Sequence, residues 1–137
     1  MKTFFTQKGR IFIGILLLGI LFTACEKTDP NAETNNLLQG DWEVESWTLD
    51  GVEQMGSNVN TFDIEFKAET DIGGETEWSF IDVLGQAGKI EADYTVENEG
   101  KEIDVEGDDL TVTFSGNVLK LSGNLDGNRW EIEAEKD

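Results

Sequence analysis

From Leu37 to the C-terminus, apolar and polar residues alternate in short runs separated by Gly, Asn and Asp. Alternation with a period of two predicts half-buried β-strands, and no apolar stripe at helical spacing is long enough to compete. Eight strands are expected, at about 41–49, 61–68, 75–82, 89–97, 101–106, 110–115, 118–125 and 128–135.

The last five runs admit a register test. In a two-residue hairpin the flanking residues pair, and paired residues share a face. With Asp126-Gly127 as a turn, Gly123 pairs with Trp130, Leu121 with Ile132 and Leu119 with Ala134. Gly123 then leaves room for the Trp130 indole, and Lys120 meets Glu133 on the other face. A turn at Gly116-Asn117 pairs Phe114 with Leu119, Val112 with Leu121 and Leu110 with Gly123. A turn at Gly107-Asp108 pairs Val105 with Leu110 and Ile103 with Val112. A turn at Glu99-Gly100 pairs Val96 with Ile103 and Tyr94 with Val105. Four turns chosen locally thus place one apolar set on one face of five strands, and agreement across levels is what specifies a fold. The first three strands add Trp42, Val44, Phe62, Ile64, Phe66, Trp78 and Phe80 to that face, and a bulge near Ser46 carries Trp47 and Leu49 back to it. The expected fold is all-β, an eight-stranded antiparallel up-and-down barrel that closes to remove its edges. A two-layer sandwich is the alternative, but nearest-neighbour hairpins favour the barrel over Greek-key crossovers.

The N-terminus has a different pattern. Lys2, Lys8 and Arg10 precede Ile11–Phe22, a run without a polar side chain. This run suits the core of a signal peptide and is short for a membrane span, which needs about 20 residues. It leads into Leu21-Phe22-Thr23-Ala24-Cys25, which resembles a bacterial lipobox. The resemblance implies a lipoprotein signal peptide over 1–24 and acylation of Cys25, palmitate included, as the first mature residue; an ordinary signal peptide with an incidental Cys is the alternative. The segment 25–36 follows as the acylated Cys and a polar, flexible linker, and 37–137 is the barrel domain.

Leu37-Leu38-Gln39-Gly40-Asp41-Trp42 opens that domain. A Gly-x-Trp motif, here Gly40 and Trp42, at the start of the first strand of such a meander resembles the lipocalin and lipocalin-like families. With Trp47-Thr48-Leu49-Asp50-Gly51, the stretch is similar to small lipocalin-like lipoproteins of Gram-negative bacteria. The resemblance implies a lipid-anchored cell-envelope protein, in the outer membrane, whose barrel binds a small apolar or amphipathic ligand. Arg129 falls at the start of the last strand, so Lys136 is the cation placed to cover Trp42, as a cation–π contact.

Composition narrows the chemistry. The chain has no His and one Cys, which excludes the usual zinc sites, a His-based triad and an intrachain disulfide. A formal charge of −19 excludes nucleic-acid binding through a basic patch. Removing 1–24 takes away Lys2, Lys8 and Arg10 and no acid, so the mature chain has 7 basic and 29 acidic residues, net −22. No carboxylate pair is marked as inward-facing, and Ser46 has no His to activate it. The expectation is therefore no enzyme, no cofactor and no metal. Asp50, Glu53, Asp82, Glu106, Asp108, Asp109 and Asp126 do gather at one end, but without EF-hand spacing, and a solvated acidic surface accounts for them.

Loops 50–60 and 83–88 share that end and carry Val52, Met55, Val59, Val83 and Leu84. An eight-stranded barrel either is filled by its side chains or holds one small ligand. For a ligand, Met55, Phe62, Trp78, Tyr94 and Trp130 are the candidate lining. For a filled barrel, the alternative is a packed interaction domain that turns its acidic surface to an envelope protein partner.

Overall fold

The computed structural model describes residues 29–137. The expected signal peptide 1–24 and Cys25 lie outside the described residues. Eight strands follow one another: β1 Gly40–Leu49, β2 Val59–Thr70, β3 Gly73–Asp82, β4 Ala87–Glu97, β5 Glu102–Val105, β6 Asp108–Ser115, β7 Val118–Leu125 and β8 Asn128–Lys136. Each pairs antiparallel with the next, and β8 returns to β1, which closes the barrel. The up-and-down barrel expected from the alternation is the one observed. A two-residue strand, Val52–Glu53, folds back on the end of β1, because β2 pairs only with the lower part of β1, Gly40–Glu43.

The predicted registers hold at three of the four turns. Trp130 lies opposite Gly123, Phe114 opposite Leu119 and Tyr94 opposite Val105. The fourth turn is displaced by one residue. The β5–β6 reversal is made by Glu106-Gly107, both left-handed at φ 51° and 99°, so Ile103 faces Leu110 and Val105 faces Asp108. A slip of two in the pairing preserves the inward face, which is why the apolar pattern alone did not detect it. Gly123 also has a different reason. A Cβ there would lie 2.5 Å from the Asp109 carbonyl on β6, so its smallness admits the neighbouring backbone rather than the Trp130 ring. The lower turn expected over 69–74 is tighter as well, since only Asp71 and Ile72 separate β2 from β3.

The bulge in β1 lies where the pattern changes phase: Glu133 pairs with Ser46 and Ala134 with Val44. The Glu53 carboxylate secures it, accepting from Ser46 Oγ at 2.6 Å, Trp47 N at 2.9 Å and Met55 N at 3.1 Å. Burial pushes this acid up, but those hydrogen bonds outweigh it and hold the pKa below the usual carboxylate range.

The N-terminal segment departs from expectation. Residues 30–36, assigned to a flexible linker by composition, belong to a helix, α1 (Pro30–Leu38). Asp29 caps it, accepting from the Asn31 N–H, and Pro30 occupies the first turn, where its missing N–H costs nothing. Nine residues do not sustain a helix in water. Docking on the lower end of the barrel supplies the difference. Leu38 is fully buried there, and Asn35, 1% exposed, donates to the Thr70 and Asp71 carbonyls, each at 3.1 Å. Its Oδ1 accepts from the Tyr94 hydroxyl at 2.5 Å, and Gln39 Nε2 donates to that hydroxyl at 2.9 Å. Thr34 and Asn31 hold the β4–β5 turn through Gly100. Trp42 Nε1 donates to the Leu38 carbonyl, and Lys136 Nζ stands 4.8 Å from the Trp42 ring centroid, the cation–π contact expected for it. This end is closed.

Candidate functional site

The upper half of the barrel holds a cluster of rings. Trp47 lies 5.1 Å from Phe62 and 4.8 Å from Trp130, while Trp78 lies 5.9 Å from Phe62 and 5.7 Å from Trp130. Such centroid distances are contact distances for aromatic pairs, so this part of the interior is packed. Trp78 is oriented by Thr76, whose buried hydroxyl accepts its indole N–H at 2.8 Å and itself donates to the Glu65 carbonyl.

An opening occurs beside this cluster, and strand length explains it. β4 has 11 residues and β5 only 4. Because Glu106-Gly107 turns the chain straight after Val105, β5 covers β4 only from Tyr94 to Glu97. Ile90 and Ala92 pair with Trp78 and Thr76 on the β3 side, above the reach of β5. The result is a lateral cleft of about 120 Å³ near the mouth. Its floor is Trp78, Ala92, Val105, Leu125 and Trp130, and Ile90, 43% exposed, stands at its side. Glu106, Asp108 and Asp126 form the rim. The Asp126 N–H donates to Asp108 Oδ2 at 3.2 Å, which ties the β7–β8 turn to the start of β6.

The structure distributes the five predicted ligand residues unequally. Trp78 and Trp130 line the cleft. Phe62 is buried behind them, against Trp78 and Trp47. Met55 packs on the core from the upper loop and bridges to Val59. Tyr94 is at the closed end, in the α1 clasp, where burial chiefly raises its phenol pKa, the Gln39 bond opposes this and the Glu69 charge adds to it. Ile90, Ala92, Val105 and Leu125 were not named as ligand lining from the sequence, although Val105 was placed on the inward face. The parity of β4, counted upward from Tyr94, marks the first two as inward.

Two other features of the surface are weaker. Carboxylates of Glu97, Asp104 and Asp109, on three adjacent strands of the outer wall, lie within 4.8 Å of one another. Burial and then the charges of Asp109 and Asp104 raise the Glu97 pKa, a sign of uncompensated repulsion. A larger groove of about 380 Å³ runs over Thr48, Thr111, Thr113 and Ser122 on the outer wall. Lys120, Arg129, Glu131 and Glu133 line it beside these hydroxyls, and it is open to water, so it is a charged surface groove rather than an apolar pocket. The mouth differs: of the six exposed large apolar residues among those described, Val52, Ile81, Val83, Leu84 and Ile90 belong to its loops and strand ends.

No family model matches the chain, and no curated protein matches it. Solved structures do. A redesigned β-barrel is similar at 16% identity and TM-score 0.56, over 76% of this chain and 95% of that one. A fluorescence-activating β-barrel of de novo design is similar at 13% identity and TM-score 0.55, over 81% of this chain and 100% of that one. Fatty-acid-binding protein 1 of Echinococcus granulosus aligns at 13% identity and TM-score 0.42, over 74% of this chain and 98% of that one. At these identities the likeness concerns the fold alone.

Proposed function

We propose that this protein is a lipid-anchored envelope barrel that binds the apolar part of a small amphipathic molecule in its mouth cleft. The cleft carries the reading: two indoles and three aliphatic side chains form an apolar floor reached from the side. At about 120 Å³ it is smaller than the roughly 300–1,000 Å³ of sites that engulf a drug-sized ligand. It therefore accepts one end of a molecule, and the activity is binding rather than catalysis.

Anchoring through Cys25 fits this geometry. Three residues separate Cys25 from Asp29, the cap of α1, and the four Cα–Cα steps between them span about 14 Å at most. With α1 docked on the closed end, the anchor holds that end near the bilayer and turns the mouth away from it. The net charge of −22 keeps the body off anionic headgroups.

The test is a fluorescence titration of the full chain in phosphatidylcholine nanodiscs with 1-hexanol, against empty discs. Saturable change in the tryptophan signal supports the reading, provided Ala92→Phe, which fills the floor, abolishes it and leaves the thermal midpoint near that of the parent. Flat titrations, or undiminished binding by Ala92→Phe, refute it. The packed upper interior favours a second reading, an interaction domain that offers its acidic surface to an envelope protein. Flat titrations together with a partner crosslinked to the acidic outer wall would support that alternative.

A further inference from the structure

The geometry points to a cationic amphiphile as the ligand class of the mouth cleft: a short apolar group carrying a primary or quaternary ammonium. This rests on the cleft being the binding site.

Size comes first. An apolar cavity of about 150 Å³ holds benzene. A cleft of about 120 Å³ thus takes one small ring or a short alkyl chain, and the ligand's polar head must remain at the rim. Charge decides what that head is. Glu106, Asp108 and Asp126 meet at the rim, and the bond from the Asp126 N–H to Asp108 Oδ2 keeps the two turns together. The nearby cations are directed elsewhere. Lys89, next to Ile90, pairs on the outer wall with Glu77 at 3.4 Å and Glu91 at 3.6 Å. Arg129, close to Asp126, pairs with Glu131 at 3.7 Å. A carboxylate-headed ligand would meet three like charges above an apolar floor, whereas an ammonium meets three opposite ones. Trp78 and Trp130 in the floor receive the apolar group, not the charged head. The field of the whole chain steers in the same sense, since acidic residues outnumber basic ones 29 to 10.

The experiment compares three probes of one chain length, n-hexylammonium, 1-hexanol and hexanoate, on the full chain in phosphatidylcholine nanodiscs. Tryptophan fluorescence is read at low and high salt, with empty discs as blank. The ammonium is expected to bind about tenfold more tightly than the alcohol at low salt, about 1.4 kcal/mol, and hexanoate more weakly than either. Salt should narrow the gap. The triple variant Glu106→Gln, Asp108→Asn, Asp126→Asn should bring the ammonium down to the alcohol, with the alcohol unchanged. Asp126→Asn alone, which keeps a residue that tolerates the left-handed turn, should move it part of the way. Equal binding of ammonium and alcohol would overturn the charge assignment and leave the mouth site standing. Tightest binding of hexanoate would overturn it too. Failure of all three probes would overturn the site and the ligand class together.

Discussion

Asn35→Ala tests whether α1 is part of the fold. Asn35 is 1% exposed and makes four side-chain hydrogen bonds, to the Thr70 and Asp71 carbonyls, the Tyr94 hydroxyl and the Gln39 amide. Truncation removes all four. Tyr94 and Gln39 retain each other at 2.9 Å, so the groups left without this partner are chiefly the two carbonyls. A net hydrogen bond is worth about 0.5–1.5 kcal/mol, and leaving a buried group unpaired costs about 1–3 kcal/mol. The expected loss is therefore about 2–4 kcal/mol, a large part of the stability of a small domain. Urea denaturation followed by tryptophan fluorescence should show a lower midpoint with an unchanged m-value. Hydrogen exchange adds a local readout, because the amides from Glu33 to Leu38 should be protected in the parent and lose protection in the variant. Tyr94→Phe should cost less, about 1 kcal/mol, and the double variant should cost less than the sum, since the two residues share a bond. If Asn35→Ala changes stability by under about 0.5 kcal/mol and the parent amides are already unprotected, the segment is a linker and the docking argument fails.

Other expectations follow from the same contacts. The pKa of Asp63 is raised, by burial and then by Asp137 and Asp41, and that of Glu97 is raised by burial and then by Asp109 and Asp104, so the folded state binds protons more readily there. Stability should rise as pH falls from neutrality through those raised values. Glu53 has the opposite sign: its contribution is present above the usual carboxylate range and lost as pH falls through its lowered value. Thermal midpoints against pH should thus peak in mild acid, Glu53→Gln should flatten the acid limb, and a steady decline from neutrality would contradict the assignment. Gly123→Ala should destabilise by about 1–3 kcal/mol in thermal melts, because its Cβ would stand 2.5 Å from the Asp109 carbonyl; a neutral effect would show that the β6–β7 approach is looser. Labels at Lys101→Cys and Leu84→Cys report orientation on the membrane: energy transfer to a headgroup acceptor should be stronger from 101, at the closed end, and equal transfer would exclude a fixed orientation.

Much of the barrel was legible in the chain. Alternation sets which side of a strand is inward, and favoured turns at Asp126-Gly127 and Glu99-Gly100 set the register, both of which are local properties. The bulge at Ser46 announced itself as a change of phase, and Lys136 over Trp42 followed from strand direction. Helix α1 was less visible. Asp29-Pro30 is a helix-start signal, but a polar segment with one apolar face residue in the right place reads as linker until the surface it docks on is known. Asn35 matters only because the Thr70 and Asp71 carbonyls and the Tyr94 hydroxyl, far away in sequence, converge on it.

The candidate site divides in the same way. The chain by itself determined that Trp78 and Trp130 point inward and that acids crowd the mouth, because parity and turn placement depend on near neighbours. Only the tertiary structure decided that a cleft exists. It arises because β5 stops at Val105 while β4 runs on past Ile90, a mismatch made by the left-handed turn at Glu106-Gly107. A turn one residue later would leave every apolar residue on the same face and read equally well as a pattern. Which inward positions lack a neighbour is a property of the closed sheet, set when β4 to β8 have all been paired.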